Sequence, residues 1–282
     1  MGKKLVCLDI DGTLLGLDGV VPASAIDACL NARRNGHRLY ICSGRNMMEV
    51  NVNREILDIG FDGIASSGGA HIEIDGTVVF DAAIPAETVR EIYLYMNGLG
   101  FGIALEKNDA ILSNKHNIAH WEAVLENFEG HEKQKRFARL LDTKMKNPLP
   151  EIPEARHYEN INKIVFNCKS SGCFAEVRRM FGQDCEIFES SIPFSVGEGG
   201  EIGRKGVHKG SALKRIAEHH GIAIADTIAF GDSDNDRPMI EAAGVGVAMG
   251  NASDSLKAIA GMVTTSLDDD GILNGFRKLE LI

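Results

Sequence analysis

No run of apolar residues in this chain reaches the roughly 20 needed to span a bilayer, which excludes an integral membrane protein built on helices. The opening MGKKLVCLDID meets Asp9 after only a few apolar residues, too soon for a signal-peptide core. Val6 stands where a myristoylation signal has Ser or Thr. None of the six cysteines (Cys7, Cys29, Cys42, Cys168, Cys173, Cys185) forms a CxxC pair, and several lie in apolar, strand-like runs. We expect reduced core thiols rather than disulfides or zinc ligands, and a cytoplasmic setting. With 30 Lys and Arg against 40 Asp and Glu, the net charge is -10 and no basic tract exists. Broad binding to nucleic acid or to an anionic membrane is excluded, whereas a local site can still meet a small anion. GEGGEIG and GVGVAMG lack the GxGxxG spacing of dinucleotide binding and read as turns and close packing. There is no internal repeat, no low-complexity tract, and no feature that specifies an oligomeric state.

What remains is an ordinary globular composition, 44% hydrophobic and 25% charged, over 282 residues. That length exceeds what one core usually serves, so an insertion or a second domain is expected. The strand-like KLVCLDI is followed by an amphipathic helix over 22–35, the strand RLYIC, helical NMMEVNVNREILDIG and the short apolar GIAS. This βαβ rhythm implies a parallel sheet with helices on both faces. HIEIDGTVVF reads as a hairpin turning at Asp75-Gly76. From about Ile84 the strands become shorter (FGIALE, AILSN, NKIVFN, CEIFES), mix with helices and include Pro148, Pro150 and Pro153, which marks a separate α+β unit. After GEGGEIG the first rhythm returns through KGSALKRIAEHHG, TIAFGD, NDRPMIEAAG, VGVAMG, SDSLKAIAG and MVTTS. The expected division is a core over 1–83 and 198–282, interrupted by an inserted α+β domain over 84–197.

Ligands of open parallel sheets bind beyond the carboxyl ends of the strands. There the chain places Asp9, Asp11 and Thr13, then Ser43, Gly44 and Arg45, then GDSDND over 231–236, with Lys209 opening a helix. The carboxylates are hard oxygen ligands suited to Mg²⁺. Ser43, the Gly44 amide and Lys209 are the donors a phosphate needs. Together they indicate phosphoryl transfer.

DIDGTLL, SGR, KGSAL and GDSDND, in that order, resemble the four motifs of the haloacid dehalogenase superfamily of aspartyl phosphatases. The large interval from Ser43 to Lys209 is similar to that of its Cof-type phosphatases, whose class IIB cap lies between the second and third motifs. GVAMGNA and DDDGI resemble that group's carboxyl-terminal signatures. The resemblance implies a Rossmann-like, doubly wound α/β core with an inserted α+β cap. It implies Asp9 as nucleophile and Asp11 as acid and base, with Mg²⁺ on Asp9, the Asp11 carbonyl and Asp232. Phosphate would be held by Ser43, Gly44, Lys209 and Asn235, with Asp236 behind Lys209 or a metal-bound water. The substrate implied is a small phosphorylated metabolite, a sugar phosphate first, with no nucleic acid or membrane partner. Two departures stand out: Ser43 replaces the usual Thr and keeps the hydroxyl, and Gly68 in SSGGAH replaces a common Asn, which leaves substrate preference open.

Other features receive simpler readings. Arg45 is expected to begin a helix, Asp234 is balanced between site and solvated turn, and His116 and His120 are expected on a wet helix face. Trp121 is expected in the core, and the 133–146 run as a solvated face. A phosphomutase shares the aspartyl phosphate, and a phosphoaspartate signalling module shares the acids, the hydroxyl and the lysine. The first strand carrying the nucleophile, and the inserted domain, argue against the module.

Overall fold

The computed structural model describes residues 2–16, 19–126, 147–189 and 197–282. The first stretch supplies β1 (Leu5–Leu8), α1 (Ala23–Arg34), β2 (Arg38–Cys42), α2 (Met47–Asn51), α3 (Arg54–Asp58), β3 (Gly63–Ser66), β4 (His71–Ile74) and β5 (Thr77–Asp81). The middle supplies α4 (Ala86–Gly98), β6 (Gly102–Glu106), β7 (Ile111–Ser113), α5 (Lys115–Glu126), β8 (Lys163–Cys168), α6 (Cys173–Phe181), β9 (Cys185–Glu189) and β10 (Glu198–Arg204). The last supplies α7 (Lys209–His219), β11 (Thr227–Gly231), α8 (Arg237–Ala242), β12 (Val245–Ala248), α9 (Asp254–Ile259), β13 (Met262–Val263) and α10 (Gly271–Lys278). Among the described residues, no helix is long and apolar enough to cross a membrane.

Contacts divide the chain into two compact units, one of Met1–Arg45, Glu49–Phe80 and His208–Ile282, the other of Asn46–Met48 and Asp81–Val207. In the first, eight strands run in the order β13-β12-β11-β1-β2-β3-β4-β5. The pairs from β13 to β3 are parallel, and β3 meets β4 antiparallel. All four residues of β1 are buried because successive side chains enter two different cores. Val6 and Leu8 pack with α1 and α10, whereas Leu5 and Cys7 pack with Ala212, Leu213 and Ile216 of α7 and with Met239 of α8. That two-faced burial is the doubly wound α/β arrangement. Asp75 and Gly76 both take positive φ (49° and 74°), the primed turn expected between β4 and β5. The helix expected across 46–60 is broken in two: Asn53 is extended and its side chain accepts the Ile56 N–H, capping α3.

The second unit is α+β, with a five-stranded sheet ordered β7-β6-β8-β10-β9. Ile103, Leu105, Ile164, Phe166 and Ile202 turn one face toward α4 and α6. On the alternate positions the buried Lys163 pairs with the buried Glu106 (3.3 Å) and the partly buried Glu201 (3.2 Å).

Four sequence readings are corrected here. GEGGEIG is not a set of turns: it forms β10, paired on both sides. Its glycines admit a neighbouring ring, since a Cβ at Gly200 would lie 2.7 Å from Phe166. Because β10 pairs within this sheet, the second unit runs to Val207, past the boundary expected at 197. The expectation of six reduced thiols fails at Cys168 and Cys173, which the end of β8 and the start of α6 bring into a disulfide; the other four are free and buried. His120 does not lie on a wet face. It is buried edge-on against the buried Trp121, and burial, then Lys169, depresses its pKa. The 133–146 run lies outside the described residues.

Candidate active site

β1 sits between β11 and β2, with Leu8 in register with both Phe230 and Ile41. Neighbouring strands lie about 4.8 Å apart, so residues leaving the carboxyl ends of these three strands converge. Asp9 follows β1, Ser43 follows β2 and Asp232 follows β11. Chain order reverses across β1, where open α/β sheets leave a crevice.

Lys209, the first residue of α7, supplies the centre from the neighbouring layer. His208 caps that helix by accepting the Ser211 N–H, which fixes where Lys209 emerges. The Lys209 Nζ donates to Asp9 Oδ1 (2.7 Å), Asp236 Oδ1 (2.6 Å) and Asn235 Oδ1 (3.0 Å). Asp9 and Lys209 are 4% and 2% exposed, so these bonds form out of water and are worth more than surface pairs. The other Asp236 oxygen accepts the N–H groups of Asp232 and Ser233 and the Ser233 hydroxyl. Thr13 Oγ1 donates to Asp232 Oδ1 (2.8 Å). Gly12 is at φ +83°, and any Cβ there would collide with the Asp232 carboxylate, so the turn after Asp11 admits only glycine.

Carboxylate oxygens of Asp9, Asp232 and Asp236 lie within 4.8 Å of one another. Burial, then the Asp236 charge, pushes the Asp9 pKa well above the ordinary range, although Lys209 pulls it down. Burial and Asp236 likewise push Asp232 to about 7, against the hydrogen bond from Thr13. Burial alone would lower the Lys209 pKa, but Asp236 and Asp9 outweigh it and keep the ammonium charged. One ammonium among three crowded carboxylates leaves a negative excess of hard oxygen donors, the environment that fits a hard divalent cation. Asp236 has both oxygens engaged, so Asp9 and Asp232 retain coordination capacity.

Asp11 is held differently. Arg45 grips its carboxylate with both prongs of the guanidinium, Nε to Oδ2 (2.8 Å) and Nη2 to Oδ1 (2.6 Å). Both Asp11 carboxylate oxygens are thereby engaged. Arg45 is 8% exposed, and its expected role as a mere helix start is corrected: its side chain is committed to Asp11. The available signal was its position two residues after Ser43, in the loop that leaves the strand beside β1. Ser43 Oγ accepts the Arg45 N–H (3.2 Å), and the Ser43 carbonyl accepts the Gly68 N–H (2.9 Å), tying this loop to SSGGAH. Ser43 and Gly44 thus stand on the β2 flank, joined to the β1 turn through Arg45. Asn251 was also missed; its side chain donates to the Gly12 carbonyl and accepts the Leu267 N–H. Asp234 proves to be a turn acid, bonded to Ser255 and half exposed.

The chain matches the family described as haloacid dehalogenase-like hydrolase over residues 6–276. It is 28% identical over 293 residues to the phosphatase YwpJ of Bacillus subtilis, covering 98% of this chain and 99% of that one. Over 287 residues it is 26% identical to the pyridoxal phosphate phosphatase YbhA of Escherichia coli, covering 96% and 97%. The solved structure of the subclass IIB sugar phosphatase BT4131 matches with a TM-score of 0.81 at 25% identity, over 99% of this chain and 100% of that one.

Proposed function

Since the chain belongs to the haloacid dehalogenase-like hydrolases and is a phosphatase of their Cof type, we propose that it hydrolyses the phosphate monoester of a small metabolite, with Mg²⁺ as cofactor. A sugar phosphate is the first candidate substrate. The observation that carries this reading is the buried Asp9–Lys209–Asp236 lattice at the end of the central strand.

An Asp9 oxygen attacks phosphorus while the ester P–O bond breaks, and Asp11, having taken up a proton from solvent in place of one of its two Arg45 contacts, gives that proton to the departing oxygen. Asp11 then takes a proton from water. That water attacks the aspartyl phosphate, the bond from phosphorus to Asp9 breaks, and phosphate leaves with Asp9 regenerated. Mg²⁺, held by the carboxylates of Asp9 and Asp232 and the carbonyl of Asp11, would supply the positive charge a carboxylate needs to approach a phosphate dianion. Lys209 adds a second positive charge and fixes the Asp9 rotamer. Ser43, the Gly44 amide and Asn235 hold the non-bridging oxygens, so positioning and electrostatics do most of the catalysis. Asp236 orients Lys209. Arg45 orients the Asp11 carboxylate.

The names of two relatives, a sugar phosphatase and a pyridoxal phosphate phosphatase, support a small phosphorylated substrate. The test is phosphate release from a metabolite panel with Mg²⁺, with chelator, and with Asp9→Asn. Release that needs the cation and Asp9 is expected. Release untouched by chelation, or return of the phosphoryl group to the substrate as in a mutase, overturns the reading.

A further inference from the structure

At the amino ends of β1 and β2, the opposite edge of the sheet from Asp9, the first unit has a cavity of about 500 Å³. Lys3, Arg33, Arg34, His37, Arg38 and Asp62 line it. Four cations against one carboxylate is a marked local reversal in a chain of net charge -10. Asp62 is shared: Arg38 reaches its Oδ1 at 3.2 Å, while its Oδ2 accepts the Leu39 N–H and lies 3.8 Å from Arg33. Among the described residues, Lys3 and Arg34 have no carboxylate partner; Arg34 Nη1 donates to the Asn31 amide oxygen (3.1 Å), on the same helix. Arg33 and Arg34 suit the end of α1, where the helix dipole favours cations. That preference does not account for Lys3, Arg38 and His37 converging on the same space.

His37 is the second observation. It is 8% exposed and lines the cavity, and its Nδ1 accepts the Lys4 N–H (3.1 Å), so the ring proton sits on Nε2 and leaves that nitrogen a donor. Burial, then Lys4, depresses its pKa and keeps the ring neutral.

We propose that this cavity is a second anion site, separate from the Asp9 centre, for a compact polyphosphate or bisphosphate gripped by Lys3, Arg34 and Arg38 and by the His37 Nε2–H. Guanidinium forks match phosphate oxygens two at a time. The volume lies in the range of ligand cavities. No side chain in the lining offers a Phe, Tyr or Trp ring to stack on a base, which favours a compact polyanion over a nucleotide. Six residues of nearly extended chain separate Lys3 from Asp9, about 20 Å at 3.3 Å each, so the two sites lie at opposite ends of β1.

The probe is inorganic pyrophosphate, titrated calorimetrically into the metal-free full chain at fixed ionic strength, with the His37 imidazole followed by NMR. Saturable binding and a displaced His37 resonance are expected. Lys3→Ala with Arg34→Ala should weaken binding at least about tenfold while leaving phosphatase turnover unchanged. Arg34→Lys, which keeps the charge and loses the fork, should fall between. Orthophosphate and a sugar bisphosphate form the comparison arms, and tighter binding of one names the source of the anion. Equal binding by parent and double variant, an unmoved His37 signal, or no binding at millimolar pyrophosphate overturns the proposal.

Discussion

On its β11 side Asp9 meets a lattice already closed, whereas on its β2 side it meets donors held mainly by backbone. Lys209, Asn235, Asp236, Ser233 and Asp232 bond to one another without any ligand, and Lys209 and Asp236 are almost wholly buried. Ser43 and Arg45 are instead fastened to the loop at Ser67 and Gly68, and their charged contact is with Asp11, which is 53% exposed. Charge locked out of water contributes to stability and chemistry together, while charge paired at the edge of water can be removed without unfolding the chain. The two flanks should therefore fail differently when broken.

Asp9, common to both, gives the largest effect. Asp9→Asn keeps the shape, removes the nucleophile and should cut turnover by about 10⁴-fold or more. Quantifying phosphate release by stopped assay checks it, and a variant that still turned over at a tenth of the parental rate would contradict the aspartyl phosphate. On the β11 flank, Lys209→Met leaves Asp9 and Asp236 buried without their counter-charge, so about 3–5 kcal/mol of stability should go with the activity. Urea unfolding measures it. Parental stability in that variant would erase the contrast between flanks.

On the β2 flank the expected loss is smaller and selective. Arg45→Met releases Asp11, whose exposed carboxylate water can then solvate, so the unfolding midpoint should hardly move. Alkyl phosphates should lose about 10²-fold in kcat, since their leaving oxygen needs a well-placed proton donor. p-Nitrophenyl phosphate should be largely spared, because its leaving group departs as the anion. Arg45→Lys should not restore the loss, since an ammonium cannot engage both carboxylate oxygens in one plane. Equal losses on both esters would mean that Arg45 serves the fold or the phosphate rather than Asp11.

The same contrast explains what could be read before any coordinates. The β11 flank and Asp9 were legible because strand ends in a parallel sheet must converge, so GDSDND and DIDGT declared themselves by following apolar runs. Lys209 was legible from its place at a helix start. Arg45 was not, because its partner lies 34 residues away on a neighbouring strand end and its own surroundings resemble an ordinary helix start. Nor was β10, whose glycines look like turns until Phe166 of the adjacent strand is known to fill the space above Gly200. The Cys168–Cys173 pairing and the burial of His120 against Trp121 depend in the same way on packing that spacing alone does not reveal.

The smallest effect expected is on stability against pH in the metal-free protein, and its sign separates the crowded β11 flank from an ordinary ion pair. Asp232 titrates near 7 when folded, against 3.8 for a free carboxyl. Below the lower value both states hold the proton and the group contributes nothing to the slope. Between the two values the unfolded chain has released its proton while the folded chain keeps one, so folding takes up protons and stability falls as pH rises, levelling above about 7. A carboxylate stabilised by a cation behaves in the opposite way, gaining stability over the acid range. Thermal unfolding in chelator from pH 4 to 8 should show this falling contribution as a difference between the parent and Asp232→Asn, which has no proton to lose. Adding Mg²⁺ should raise the parental midpoint most at the alkaline end, above about 7, where Asp232 has surrendered its proton and can take the cation instead. Parallel curves for parent and variant would mean that the carboxylates are not crowded in solution, and the distinction between the two flanks of Asp9 would fall with them.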